Sequence, residues 1–520
     1  MKSLTIESLE SSKDSLKKTT DSFSSKNRVY ADTRLELSEW KGTNALNGNS
    51  KSSEEDFSSS MGVRVIASHA NGLSASGYAG TALSPKETIS PEKKLRELFS
   101  LAHKRALHSS ELKTGLRKKY SDLGANIKES ALADIKIYTD TVKAEFEKNP
   151  RDLDLEELTK RTESCSTLVA GLKGMASNSI SVSTGFSRKI FASSEGALID
   201  QSKALTESFV YLAAKGKAIE TFYESMGRNA GPEVLEGYNS FDMTLESFSE
   251  YLAQGTIELS NAPAFTNTEE ATVITDPWYN TLLCHEIVGH PSEADRALKR
   301  EAAWAGRAWW FSGIDDNRFS KEVASEEVSV FSDPNLKEGY GYYRYDDEGV
   351  KAKKHYNIKE GILNEFINSR ETATILGKEP NGGMRATSAE LVPVIRMNNT
   401  CFAPGSWKKE ELFEETKNGY YVVGQKTPSI GETRQNFKIT CWKLFEIKNG
   451  EIKKLYRMGG LTSDSYSYLK NIDAAADDFV LYNVPNCGKG TPIQVMKLGN
   501  GGPHMRSRAR VCGANSEVMQ

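Results

Sequence analysis

His285 and His290 bound the segment His285-Glu286-Ile287-Val288-Gly289-His290, in a chain that holds only seven histidines. Two imidazoles, with a carboxylate beside the first, can hold a divalent metal and move a proton. Zinc hydrolases commonly place such histidines at i and i+4, where one helical turn brings both rings to one ion. Here the spacing is i and i+5. On a regular helix of about 100° per residue, with His285 at zero, Glu286 falls near 100°, Gly289 near 40° and His290 near 140°. Ile287 and Val288 point away, as core residues should. A shared ion therefore requires the helix to widen or unwind here. Pro291 supplies a cause, because it has no N–H to donate and crowds the carbonyl of Ile287. Gly289 presents no side chain to obstruct a metal or a substrate. The competing reading is a pair of core histidines that only hydrogen-bond.

A catalytic zinc site usually has three protein ligands and one open position. Cys487, in Pro485-Asn486-Cys487-Gly488-Lys489-Gly490, has the most suitable local chemistry. Its Gly-rich surroundings read as a turn that lets amides approach a thiolate, and Lys489 favours the ionised form. Cys284 projects about 100° from His285 and reads as core. Cys165, Cys401 and Cys441 lie in apolar runs and read the same way. Cys512, His355 and His504 stay open as ligands. Glu293 falls near 80° if the helix survives Pro291, so it either orients a ligand histidine or caps the helix in solvent. No nearby His or Tyr suggests itself for an oxyanion. Arg370, Arg385 and Arg396 read as structural rather than as binders of a substrate carboxylate.

The elements that must position these groups can be read at coarse grain. Asp276-Pro277 starts the helix carrying the histidines, as an N-cap followed by a first-turn proline. Residues 1–28 form a tail or a short amphipathic helix with Leu4, Ile6, Leu9 and Leu16 on one side. An N-terminal domain, 29–235, would pair extended runs at 29–40 and 62–67, with 42–60 as a loop between them. Ser90-Pro91 starts a helix with Leu95, Leu98, Phe99, Ala102 and Ala106 on one face. A second helix spans about 155–172, and short strands follow around Ser194-Glu195-Gly196. The composition shifts near 227–240. The C-terminal domain, 236–520, is β-rich apart from the histidine helix, with hairpins at Asn449-Gly450 and Glu360-Gly361. The fold class is α+β: strands with packed helices, then a β-rich domain carrying the HExxxH helix.

Composition narrows the function. Basic and acidic residues balance at 67 against 70, which argues against a nucleic-acid partner for the whole chain. Arg506, Arg508 and Arg510, spaced by two, read as a solvated strand face rather than a nucleic-acid stripe. No apolar stretch is long enough to span a bilayer, so no membrane partner is expected. Glu7 precedes any apolar run, so no secretory leader is expected. Six cysteines without a CxxC pair argue against a disulfide framework or a zinc ribbon and suit a reducing, cytoplasmic setting.

HEIVGHPSEAD (285–295) resembles the signature of the TldD/PmbA family of metallopeptidases, on the TldD side. GVRVI (62–66), SEG (194–196), IKEGILNEFINSR (358–370), PNGGMR (380–385), IRMNNTCFAPG (395–405), NCGKG (486–490) and GGPHMR (501–506) are similar to further family blocks in the same order. The resemblance covers about 30–513. It implies a mononuclear zinc (Zn2+) peptidase with His285, His290 and Cys487 as ligands and Glu286 as the general base. It implies a two-domain dimer, either with a related PmbA/TldE-like subunit that lacks the motif or with itself. The implied substrates are unfolded or extended peptides, including modified peptide precursors. Pro291 stands where the family often has glycine, and Gln425-Lys426-Thr427-Pro428 replaces a Gly-Gly stretch, which bears on peptide preference. The alternative is a non-catalytic binding or regulatory subunit, of the kind described as a modulator of DNA gyrase. A scaffold needs neither the glutamate nor the thiolate, so the intact set favours the enzyme.

Overall fold

The structure is a computed structural model that describes residues 6–120, 127–301, 303, 306–310 and 318–513. Leu4 of the expected amphipathic helix lies outside them. Helix accounts for 27% and strand for 41%, an α+β protein.

A 3-10 turn, Ile6–Ser12, leads into helix α1 (Lys13–Asn27). Ile6, Leu9 and Leu16 are buried against the first sheet. That sheet contains β1 (Tyr30–Leu46), β2 (Asn49–Ala67), β3 (Ala75–Ala82), β4 (Thr139–Val142), β5 (Met175–Ser193), β6 (Leu198–Lys215) and β7 (Ile219–Arg228). Its order is β3-β2-β1-β5-β6, with β4 and β7 both paired to β6. The loop expected at 42–60 is absent. β1 and β2 pair along their whole length to a turn at Asn47-Gly48, where both residues have positive φ. Asn-Gly is the signal for such a turn, but the Ser- and Glu-rich flanks masked it. The short strands expected after 172 are likewise two long ones, β5 and β6, joined around Glu195-Gly196.

Period-2 alternation divides the faces of this sheet. Leu35, Leu37, Val63 and Val65 pack under α1 and α3 (Glu92–Lys119), with Leu95, Phe99 and Ala102 of α3 against them. Pro91 is the N-cap of α3; a short helix, α2 (Pro85–Ile89), precedes it, capped by Ser84 and Glu87. Helices α4 (Leu155–Ala170) and α5 (Leu245–Asn261) cover Ile180, Val210, Leu212 and Phe222 further along. The other face is polar: Glu36, Ser38, Ser58, Ser60, Ser187, Lys189, Gln201 and Lys203.

Two more sheets follow. One contains β9 (Val330–Ser332), β10 (His355–Lys359), β11 (Ile362–Leu363), β14 (Asn399–Phe402), β20 (Val480–Lys489) and β21 (Gln494–Gly502), in the order β11-β10-β9-β14-β21-β20. A small ribbon, β12 (Met384–Arg385) with β13 (Val394–Ile395), lies outside it. The other contains β8 (Thr268–Thr275), β15 (Asn418–Ile430), β16 (Asn436–Lys448), β17 (Glu451–Tyr456), β18 (Gly459–Asp464), β19 (Ala474–Ala475) and β22 (Met505–Gly513). Its order, β15-β8-β22-β18-β16, closes because β15 also pairs β16. Asn449-Gly450 turns β16 into β17 and Glu360-Gly361 turns β10 into β11, all four residues at positive φ. Among the described residues, no helix is long and apolar enough to cross a membrane.

Candidate metal centre

Strand β8 runs directly into helix α6 (Pro277–Cys284) through Asp276. The Asp276 carboxylate accepts from Tyr279 N–H at 2.6 Å and Gly424 N–H at 3.0 Å, which fixes the helix start against β15. After Cys284 the helix widens. His285–Gly289 form a π-turn in which the His290 N–H donates to the His285 carbonyl. In an i→i+5 turn, residues five apart stack as residues four apart do in an α-helix. The His285 and His290 rings accordingly meet at 4.6 Å between centroids, edge to face. The sequence required such a widening for the two rings to share an ion.

Pro291 enters a short 3-10 turn, His290–Ser292, and the helix ends there. The carbonyls left without a helical partner find others. Trp309 Nε1 donates to Ile287 O at 3.2 Å and Ser292 Oγ to Val288 O at 2.7 Å. Gly289 does not leave open space, contrary to expectation. A Cβ there would lie 2.1 Å from Met397 Sδ, so the missing side chain makes room for Met397 beside the histidines.

Cys487 lies on strand β20 rather than in a turn, opposite Met496 of β21. Its Sγ is 3.7 Å from His290 Nε2. Ligand atoms of His285, His290 and Cys487 all lie within 4.8 Å of one another, and among the described residues they form the one such metal-capable group. Bonds of about 2.1 Å to nitrogen and 2.3 Å to sulfur at a tetrahedral angle put the two donors about 3.6 Å apart. Two imidazoles and a thiolate also match the ligand preference of zinc. All three residues are buried.

The outer ring nitrogens are occupied. His285 Nδ1 is 2.9 Å from Asn500 Oδ1, while Asn500 Nδ2 donates to Thr400 O at 2.6 Å. That second bond fixes the amide orientation, so Nδ1 carries the proton and Nε2 keeps its lone pair. His290 Nδ1 is 3.2 Å from Glu293 Oε2. Glu293 is fully buried and also receives Arg296 Nε at 2.8 Å, Lys489 Nζ at 3.1 Å and the Met397 N–H at 3.2 Å. Burial pushes the Glu293 pKa up, but Lys489, His290 and Arg296 outweigh it and hold the carboxyl well below the usual range.

Lys489 bonds Glu293, Asp295 and Ile395 O rather than the thiolate. Burial raises the Cys487 pKa, yet His290, His285 and Arg396 together take it well below that of a free thiol. For His285, burial pulls the pKa down while the Cys487 thiolate and Glu286 lift it, to about 9. Glu286, 8% exposed, ion-pairs with Arg434. Its pKa is raised by burial and lowered, on balance, by Arg434 and the two histidines.

The remaining sequence candidates are engaged elsewhere. Cys284 Sγ contacts Thr400 O at 3.5 Å, and burial pushes its pKa up. His504 Nδ1 pairs Asp478 at 2.6 Å. His355 contacts Asn357 at 3.4 Å, and burial pulls its pKa down to about 4. Cys512 is buried in β22. Arg370 pairs Glu195, and Arg396 donates to the Cys487 and Gln494 carbonyls. Arg506 and Arg510 pair Asp473 and Glu270. Asn500 and Arg434 were not anticipated. The glycines around Asn500 (499–502) were the only signal for it, and Arg434 had none.

Residues 268–509 match the PmbA/TldA metallopeptidase C-terminal domain. The chain is 30% identical over 345 residues to a metalloprotease of Methanothermobacter thermautotrophicus, covering 66% of this chain and 71% of that one. It is 29% identical to a metalloprotease of Methanocaldococcus jannaschii over 490 residues, 93% and 96% of the two chains. A zinc metalloprotease TldD homolog of Saccharolobus solfataricus is 32% identical over 240 residues, 46% of this chain and 50% of that one. The fold is similar to TldE from Thermococcus kodakarensis, with a TM-score of 0.63 at 15% identity over 97% of this chain and all of that one. From the matched C-terminal domain and the archaeal relatives, it follows that the chain belongs to the TldD/PmbA family of metallopeptidases.

Proposed function

We propose that this protein is a zinc-dependent peptidase that hydrolyses unfolded or extended peptides, modified peptide precursors included. The observation that carries the reading is the buried set of His285, His290 and Cys487, with Glu286 next to the first ligand. His285 Nε2, His290 Nε2 and Cys487 Sγ would hold the ion. Zinc, when bound, supplies Lewis acidity that polarises a carbonyl and makes a water acidic enough to attack it at neutral pH.

The chain's own groups do the rest. Asn500 and Glu293 hold the two imidazoles by their outer nitrogens. Glu286 accepts the proton of the attacking water at a carboxylate oxygen and returns it to the leaving amine, a role worth about 10²–10⁴ in rate. Arg434 keeps that carboxylate ionised and aimed. Strand β20, which carries Cys487, is the last strand of its sheet, so an extended peptide can add its backbone alongside the thiolate. The protein acts as a dimer, with a TldE-like subunit or with itself. The exposed Phe209, Tyr211 and Tyr223 on β6 and β7 offer an apolar surface for it. All six cysteines are free, which suits the cytoplasm.

The test is to purify the chain alone, measure zinc per chain and mass, and assay cleavage of a disordered peptide with and without chelator. One zinc per chain with chelator-sensitive cleavage is expected. Stoichiometric zinc with no cleavage, even after a related subunit is supplied, would favour a regulatory subunit.

A further inference from the structure

The polar face of the first sheet is only partly covered by the rest of the chain: Ser58 is exposed, and Ser38, Ser187, Lys189 and Lys203 are half-buried. Segment 342–347, segment 385–388 and the start of β21 face it across an open cleft of about 450 Å³. Small residues on the sheet, Ser38, Ser58, Ser60 and Ser187, leave the space. None of the three candidate ligands lines it; it is linked to them through shared neighbours. Met496, the cross-strand partner of Cys487, lines it, and so do Val495 and Lys497 on the opposite face of β21. Arg385 also lines it and donates to Met397 O, while the Met397 N–H donates to Glu293.

Its lining holds six basic residues against four acidic ones, Glu36, Glu145, Asp346 and Asp347. Lys189 pairs Asp347 at 3.1 Å, and Lys497 pairs Glu207 at 2.5 Å. Lys203 projects from the sheet and Arg385 from the facing segments, and among the described residues neither forms an ion pair with a carboxylate. Arg385 is 9% exposed, its guanidinium sits 4.4 Å over the Tyr343 ring, and its Nε is buried without a hydrogen-bond partner. A buried guanidinium with an unused donor costs stability unless a ligand completes it. Burial, with Arg385, Lys497 and Lys189 nearby, pulls the Lys203 pKa down to about 7. An arriving anion relieves that mutual repulsion.

We propose that Lys203 and Arg385 form an anion subsite that captures a carboxylate of the peptide while its scissile bond lies at the metal centre. The inference rests on the peptidase reading and names its substrate class: peptides with a carboxylate a few residues from the cleaved bond. That carboxylate belongs to an acidic side chain or to the peptide's C-terminus. A guanidinium and an ammonium converging on one pocket suit either, by charge-assisted hydrogen bonds.

The test uses binding, so that it stands apart from turnover. Full-length protein carrying Glu286→Gln is titrated into four labelled unstructured peptides, alike except for an internal Glu or Gln and a C-terminal acid or amide. Fluorescence anisotropy should show about tenfold tighter binding for the carboxylate member of one matched pair, and that pair names the source. Lys203→Met should abolish the preference and Lys203→Arg should keep it. Equal affinity for all four peptides would overturn the proposal without recourse to any cavity variant. So would a preference that Lys203→Met leaves intact. Carboxylate-selective binding, together with no cleavage of the preferred peptide by the zinc-loaded wild type, would remove the peptidase reading and leave the subsite standing.

Discussion

Arg434 ion-pairs with Glu286 across a buried contact, the two side chains 9% and 11% exposed. Arg434 belongs to the turn between β15 and β16 and adopts a positive φ of 64°. Its N–H bonds Gly431 O and its carbonyl accepts from Ser465 Oγ. The backbone is thus pinned on both sides of the side chain that reaches the glutamate. Removing the guanidinium leaves Glu286 free to swing. Arg434→Met should keep its zinc and lose about a hundredfold in kcat, the order expected for a reacting group misplaced by an ångström. Arg434→Lys should fall between. Zinc analysis with steady-state kinetics checks both, and a wild-type kcat in Arg434→Met would show that the pair is not needed.

Asn500 sets which His285 nitrogen is left to bind metal. Asn500→Ala should weaken zinc binding about 10–100-fold, as loss of such outer partners typically does. Competition against a fluorescent zinc indicator measures this. Asn500→Asp, which can still accept from Nδ1, should bind zinc more tightly than the alanine variant.

Metal should also be worth stability, because the ligands join distant parts of the chain: His290 and Cys487 are 197 residues apart. Chelation should lower Tm in a calorimetric scan, since the folded chain binds the ion and the unfolded chain does so poorly. Cys487→Ser should show reduced zinc and a lowered Tm that no longer responds to chelator. Cys512→Ser should keep its zinc.

Glu224 makes the pH dependence of folding testable away from the metal. It is 6% exposed on β7 and accepts from Trp278 Nε1 at 2.7 Å, holding the first turn of α6. Burial lifts its pKa from 4.5 to about 7. An acid with a raised folded pKa gives full stability below its unfolded pKa and loses it as pH rises through the folded one. Between pH 4.5 and 7 the wild type should therefore lose roughly 3 kcal/mol that Glu224→Gln does not lose. Urea unfolding at pH 4.5 and 7.5 reads the difference, and parallel behaviour of the two proteins would refute it.

The local signals were legible in the sequence and the distant ones were not. Asp276-Pro277, Asn449-Gly450 and the apolar face of α3 rest on neighbours within a few residues, and each formed as its chemistry requires. The widened turn was implied by the i,i+5 spacing and Pro291. The paired length of β1 and β2 was hidden because Ser and Glu on an exposed hairpin look like loop residues. Lys489 was assigned to the thiolate from adjacency, whereas the fold turns it toward Glu293 and Asp295. Asn500 and Arg434 come from segments with no pattern of their own, so only tertiary structure brings them to the histidines.

The wide turn also sets how this motif can change. An i→i+5 turn holds one residue more than an α-turn, so His285-Glu286-Ile287-Val288-Gly289-His290 behaves as an i,i+4 pair that has absorbed an insertion. Excising Ile287 or Val288 would restore an ordinary turn and keep the two histidines stacked. Because the wide turn absorbs its extra residue, the same excision would leave the phase of the chain after His290 nearly unchanged, with Glu293 still directed at Lys489, Arg296 and Met397. The extra residue is therefore accommodated locally: it widens the stretch that carries Glu286 and leaves the chain on either side of the two rings in step.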